Sequence, residues 1–333
     1  MENMEKNTKN ISDMKNIKFY DFDLGLPAAE RWCAVFDAYA ADLDDLSSKL
    51  RSILNQFGMV STLIKPLYTF SPKSYMLHTD EIAYVAKRIG MTSFEVLLLQ
   101  LIYETSSACT TSVLKVGTKE FFFRTMDWPM LFLKDITIGL NIKKDNKYIG
   151  KVTTWLGYVG FLTATNTIHD YTIAVNYRRT QDISIMTLVR NLYRTVSMKW
   201  PIGYLVRNII ENSANIVDAK NLLETCELIS PCYVTVYVPY HQSYIITRDC
   251  DKTVDTRSNE LVQTNCDWNK TEPDILWSLD RVKLVKITQE IIDKYMIPPS
   301  PYEILDLLLK YPVLNDETIY VHCQYNNMYE TFI

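Results

Sequence analysis

Few side chains in this sequence combine a residue type and a spacing that suit chemistry. Cys109 is the first of them. It stands in Ser106-Ser107-Ala108-Cys109-Thr110-Thr111, at the sharpest change of texture along the chain. A thiolate at such a boundary can act as a nucleophile. The simpler reading of a lone Cys at a helix–strand junction is a small buried apolar residue. Arg124 lies three residues before Asp127. Taken alone, the pair reads as a surface salt bridge. Asn265, between strands, is by residue type most simply a turn residue. His78, His169, His241 and His322 are scattered and give neither a metal spacing nor a Cys–His dyad. On residue types alone the chemistry within reach is that of a thiol nucleophile, which needs neither a metal nor an organic cofactor.

The elements that must position these residues fall into two textures. Residues 28–108 read as helical. Leu43, Leu46, Leu50, Ile53, Leu54 and Phe57 repeat on one helical face, with Lys49, Arg51 and Asn55 opposite and Gly58 as a stop. That face suits packing on a core and, secondarily, a transient contact with a membrane surface. A second helix is expected over Thr79–Ile89, with Asp80 and Glu81 in its first turn. A third starts near Ser93 as capping residue and runs through the apolar stretch to Tyr103.

After Cys109 come short β-rich runs at 112–116, 120–124, 136–142, 148–155, 158–163 and 171–176, with Asp145-Asn146 as a hairpin turn. Helical periodicity returns over 183–196 and 202–224. Strands follow at 233–237, 244–248 and 260–264, then a helix at 301–309 and a last strand pair near 318–323. The layout is α+β.

Composition narrows the function classes. Acidic and basic residues are interspersed and the net charge is −4, which leaves no basic field for nucleic acid. Seven cysteines without a CxxC pair argue against structural zinc and against a fully paired disulfide framework. The N-terminal sequence lacks the apolar run of a secretory signal, so the chain as read is expected in the cytoplasm.

Several segments in order resemble the acid ceramidase and N-acylethanolamine-hydrolysing acid amidase family. Phe94 to Thr111 (FEVLLLQLIYETSSACTT) is similar to the run into that family's nucleophile, where a helix and a Tyr-Glu pair precede Cys-Thr-Ser. Tyr20 to Trp32 resembles the opening of its N-terminal subunit. Arg124-Thr125-Met126-Asp127-Trp128-Pro129 resembles its Arg-Asn-(Met/Leu)-Asp-aromatic motif. Thr153 to Thr163 is similar to its Gly-Tyr-Val-Gly segment, Val262 to Trp268 to its Thr-Asn-Tyr-Asp segment, and Asp280-Arg281 to its Asp-Arg element.

This resemblance implies an N-terminal-nucleophile αββα sandwich of two stacked antiparallel sheets, with a helical pro-segment (1–108) and a nucleophile-bearing part (109–333). It implies self-cleavage before Cys109, giving an α/β heterodimer of the two products, and hydrolysis of a lipid amide in a lysosomal setting. Ceramide is the first expected substrate and an N-acylethanolamine the second; a lipid-binding relative without catalysis is the rival. Cys109 would be the nucleophile, Arg124 would favour its thiolate, and Asp127 would orient its amine. Asn265 would help form the oxyanion hole, and Arg281 would be a further active-site cation. Three features depart from the family pattern. Tyr177 in Asn176-Tyr177-Arg178 stands where the family has an acidic residue, Phe122-Phe123 replaces a His-Gly, and a C-terminal cysteine pair is missing.

Overall fold

The two-residue turn at Asp145-Asn146 shows how local chemistry builds the sandwich. Both residues take left-handed backbone angles, φ 50° and 61°, which suits the tight turn whose twist matches paired strands. It joins β4 (Thr137–Lys144) to β5 (Lys147–Trp155). In this computed structural model the described residues are 11–55, 65–66, 69, 77–104, 107–178, 190–191, 193–194, 197, 199–268, 277–326 and 328–333. The expected stop at Gly58 and most of the expected helix 183–196 lie outside them.

The first sheet has five strands in the order β11 (Val262–Gln263), β2 (Ala108–Val116), β3 (Lys119–Asp127), β12 (Thr318–Tyr325) and β13 (Met328–Phe332). The second has eight, in the order β1 (Phe19–Asp23), β4, β5, β6 (Thr163–Asn166), β7 (Tyr171–Tyr177), β8 (Cys232–Tyr237), β9 (Tyr244–Arg248) and β10 (Thr253–Arg257). The sheets face each other. Phe122 of β3 stacks on Tyr237 of β8 at 5.4 Å, and Thr153 of β5 meets Thr331 of β13 at 2.9 Å. Paired hydroxyls and amides of this kind satisfy polar groups that burial would otherwise penalise.

Helices cover the two outer faces. α1 (Cys33–Ala38), α2 (Leu43–Asn55), α3 (Thr79–Arg88) and α4 (Ser93–Ile102) precede Cys109. α5 (Ile202–Glu211) and α6 (Ile216–Thr225) lie on the eight-stranded sheet. α5 comes so close that a Cβ on Gly150 would meet Ile210 at 2.8 Å. α7 (Ser278–Ile292) and α8 (Pro301–Leu308) pack on the other sheet, where Val285, Ile304 and Leu305 share a core with Leu114, Phe121 and Val321. The result is the αββα sandwich.

Several expectations need correction. β1 pairs with β4 in parallel, so the larger sheet is mixed rather than wholly antiparallel. The cap of α4 is Thr92, not Ser93: Thr92 is extended and exchanges hydrogen bonds with Glu95 in a capping box. The strand expected at 158–163 begins only at Thr163. Before it, Gly157 is left-handed (φ 80°), and the Gln100 side chain takes the Gly157 carbonyl and the Val159 N–H, at 3.1 and 2.8 Å. The helix expected over 202–224 is split, because Ser213 turns left-handed and Asn215 caps a new helix. The strand expected at 260–264 shrinks to Val262–Gln263, while β1, β10 and α7 were not foreseen.

Candidate active site

Cys109 is the second residue of β2, fully buried, with Met126 of β3 as its register partner. Strand alternation sends the Cys109, Arg124 and Met126 side chains to the face between the sheets. The Arg124 guanidinium nitrogen Nη2 and the Met126 sulfur each lie 3.6 Å from the Cys109 sulfur. Arg124 also donates to the Leu162 carbonyl at 3.1 Å, which fixes the guanidinium over the thiol. Burial pushes the Cys109 thiol above its ordinary value; Arg124 and Arg281 pull the other way, and Asp127 adds to the rise.

Asp127 is three residues from Arg124 and therefore faces the helix side of β3. Its carboxylate accepts from Arg281 Nη1 at 2.9 Å, from the Thr318 hydroxyl at 2.7 Å and from the Thr125 hydroxyl at 3.2 Å. Burial raises its carboxyl to about 6, against the opposing pull of Arg281, Thr318 and Thr125. Arg281 projects from the first turn of α7, fully buried, and also reaches the Thr110 hydroxyl at 3.4 Å. The five residues singled out from the sequence thus form two groups on the two faces of one strand pair. Arg124 lies beside the thiol, and Asp127 with Arg281 lies behind it.

Asn265 joins the groups at the backbone. Its side-chain oxygen accepts the Cys109 N–H at 2.8 Å. Its Nδ2 donates to the Ser107 carbonyl at 3.2 Å and to the Tyr177 carbonyl at 2.8 Å. One amide therefore grips the chain on both sides of the Ala108–Cys109 peptide bond. The loop carrying Asn265 is itself fixed. Arg178 holds Asp267 with two bonds of 2.7 Å, and the Tyr233 hydroxyl donates to the same carboxylate at 2.7 Å. Asn176 donates to the Gln263 carbonyl at 3.0 Å. The departure at Tyr177 costs this arrangement nothing, because Asn265 uses its main-chain carbonyl.

An apolar cleft lies between helices α2–α4 and the segments 128–136 and 155–158. Leu50 and Ile53 of α2, Val96 of α4, Phe132, Trp128 and Tyr103 are among the side chains that wall it. The amphipathic α2 face thus lines this cleft, and Leu46 and Leu54 of the same helix are buried in the core. Tyr103 and Trp128 meet edge to face, 6.0 Å apart, beside Asp127. Sequence reasoning missed Tyr103, Arg178 and Asp267 as site residues. The signal that could have found Tyr103 was the Tyr-Glu pair of the segment leading to Cys109. Among the described residues no disulfide joins any of the seven cysteines, and no helix is long and apolar enough to cross a membrane.

No protein-family model matches the chain. An uncharacterized protein of Acanthamoeba polyphaga mimivirus is 44% identical over 315 residues, covering 94% of this chain and 97% of its own. Acid ceramidase of Bos taurus is 24% identical over 336 residues, covering 91% of this chain and 82% of its own. Among solved structures, the Caenorhabditis elegans ortholog of N-acylethanolamine-hydrolyzing acid amidase superposes with a TM-score of 0.53 at 20% identity, over 65% of this chain and 92% of that one.

Proposed function

Because the chain belongs to the acid ceramidase and N-acylethanolamine-hydrolysing acid amidase family of amidohydrolases, we propose that it cuts itself before Cys109 and then hydrolyses the amide of a long-chain N-acyl lipid, ceramide in the first instance. The observation that carries this reading is a buried thiol under a guanidinium, in a protein with an apolar cleft walled in part by Tyr103 and Trp128. A fatty acyl chain in that cleft would gain roughly 0.8 kcal/mol for each methylene taken out of water. Its carbonyl would arrive at the sulfur.

In the intact chain the Cys109 sulfur adds to the Ala108 carbonyl carbon, and the peptide bond gives way to a thioester that water hydrolyses. The freed α-amine, with an ordinary pKa of about 7.7–8.0, then serves as base for its own thiol. It takes the thiol proton as sulfur attacks the lipid amide, and returns it to the departing amine. Water cleaves the resulting acyl-thioester to the fatty acid and restores the thiol. Asn265 is assigned the oxyanion contact: the Ser107 carbonyl lies on the cut end of the 1–108 product, whose withdrawal frees one Nδ2–H to donate. Asp127, held by Arg281, is assigned the orientation of the new amine. An N-acylethanolamine fits the same cleft and is the alternative substrate. The complete burial of Cys109 favours, as a second reading, a lipid-binding protein without catalysis.

The test is intact-mass analysis at acidic and neutral pH beside Cys109→Ala, followed by assays on both lipids. Two chains, 1–108 and 109–333, absent from the variant, with amide hydrolysis by the cut form, are the expected result. A chain that stays whole under every condition would overturn self-activation and leave the binding reading.

A further inference from the structure

One polar group on the wall of the apolar cleft is unanswered by the protein. Trp155, the last residue of β5, is among the side chains that line it and is 4% exposed. Its indole Nε1 is buried and has no hydrogen-bond partner among the described residues. Rings flank it: the centroids of Trp128, Tyr158 and Tyr320 lie 5.8, 5.7 and 6.5 Å away. Polar groups of this region are engaged elsewhere. The Tyr320 hydroxyl pairs with Thr163 at 2.9 Å, and the Tyr103 hydroxyl donates to the Val175 carbonyl at 2.7 Å. Gln100, in the same wall, commits its amide to Gly157 and Val159.

An indole nitrogen can donate and cannot accept. A buried donor with nothing to bond has lost its water without compensation, and native interiors hold few of them. Trp155 also stands towards the reaction. Strand alternation turns it to the face between the sheets, as it does Thr153. On that face its neighbour Tyr320 and Cys109 are both register partners of Met126.

We propose that the Trp155 N–H is a specificity-determining donor, and that the preferred acyl chain carries an oxygen within the cleft, as an oxo or hydroxy fatty acyl group does. The proposal rests on the reading that the cleft takes the acyl chain. A plain hydrocarbon chain leaves the indole unpaired. An oxygen on the chain accepts from Nε1, so two groups that the cleft strips of water satisfy each other. A site that holds such a donor discriminates against the analogue lacking the oxygen. No covalent bond changes.

The experiment is calorimetric titration of the full chain with stearic acid and with its positional oxo isomers, which add one acceptor and no donor. It is repeated on Trp155→Phe, which keeps a ring and removes the N–H. For at least one isomer, affinity relative to stearic acid should fall about tenfold in the variant, the loss of one hydrogen bond in a dry site. The ratio is the readout because a merely structural indole would weaken both ligands alike. Ratios that stay the same at every oxo position overturn the proposal; an N–H that rests on the Tyr158 ring gives that result. If Trp155→Phe does not fold, 3-benzothienylalanine at this position keeps the two-ring shape without the N–H, and the same fall is expected. Stearic acid bound with unchanged ratios sinks the oxygen preference alone. A parent that binds no acid of the series sinks the acyl-chain reading and this proposal with it. Binding is read, not turnover, so the result does not depend on self-cleavage.

Discussion

Asn265 makes the same three hydrogen bonds whether the Ala108–Cys109 bond is viewed as a stretch of strand or as a cleavage site. Asn265→Ala removes them together. Amide hydrolysis by the cut form should slow about 10²–10³-fold, the loss typical of an oxyanion donor, and the rate of fatty-acid release measures it. Glu104 gives a second prediction. Burial raises its carboxyl to about 7, against the Ser230 and Ile202 bonds that favour ionisation. Below the ordinary Glu value of about 4.5 both folded and unfolded chains hold this proton. As pH rises from there towards 7 the unfolded chain releases it first, so folding loses stability over that window. The melting temperature should therefore be higher at pH 5 than at pH 7.5, with Glu104 accounting for on the order of 2–3 kcal/mol, and Glu104→Gln should flatten the difference. At this scale the sequence was legible only through motifs. Arg124 and Asp127 could be named but not placed, because a spacing of three in a strand puts side chains on opposite faces and only the strand itself reveals that.

Elements were legible where the signal was local. The hairpin between β4 and β5 follows from two residues that tolerate left-handed angles, and the ends of β9 match the apolar run Tyr244–Arg248. α7 was hidden. Its buried positions include Ser278, Arg281 and Thr288, so its inward face carries no apolar stripe to read. β1 was hidden for another reason: five residues alternate weakly and find their partner more than a hundred positions later. The joint between α3 and α5 was equally invisible. Glu81 is buried, pairs with Arg207 at 2.6 and 2.8 Å, and also takes bonds from Arg31 and the Trp32 indole. Burial alone would raise this carboxyl; Arg207 and Trp32 overcome that and hold it below its ordinary value. Glu81→Ala leaves Arg207 buried with only Glu211 as counter-charge, at 2.7 Å. It should cost about 3–5 kcal/mol in chemical denaturation, as broken buried pairs do.

At the scale of the molecule, the segment before Cys109 is woven into both sheets. Asn16 bridges Phe332 in antiparallel fashion, with Lys15 and Ile333 exchanging backbone bonds of 3.1 and 2.9 Å. A few residues on, β1 runs alongside β4 in the other sheet. The same segment carries α4, whose Gln100 fixes the loop at Gly157, and Glu81 of α3. Chains 1–108 and 109–333 should therefore leave a sizing column as one particle of 38.8 kDa under reducing conditions, since no disulfide joins them. Elution as two species would contradict this. The two-texture layout was readable from composition and periodicity; the interlacing was not, because it rests on pairings between distant ends.

The pairing of Lys15 with Ile333 has one more consequence. The polypeptide closes on itself there like a hairpin, while the break proposed to free the nucleophile falls elsewhere on the loop. A short turn from Ile333 back to the start of the described chain would make a circular permutant whose first residue, once the initiator Met is removed, is Cys109. Such a protein would carry its thiol at the N-terminus from the start, with no peptide left to sever, and chemistry could then be measured apart from the proposed self-cleavage.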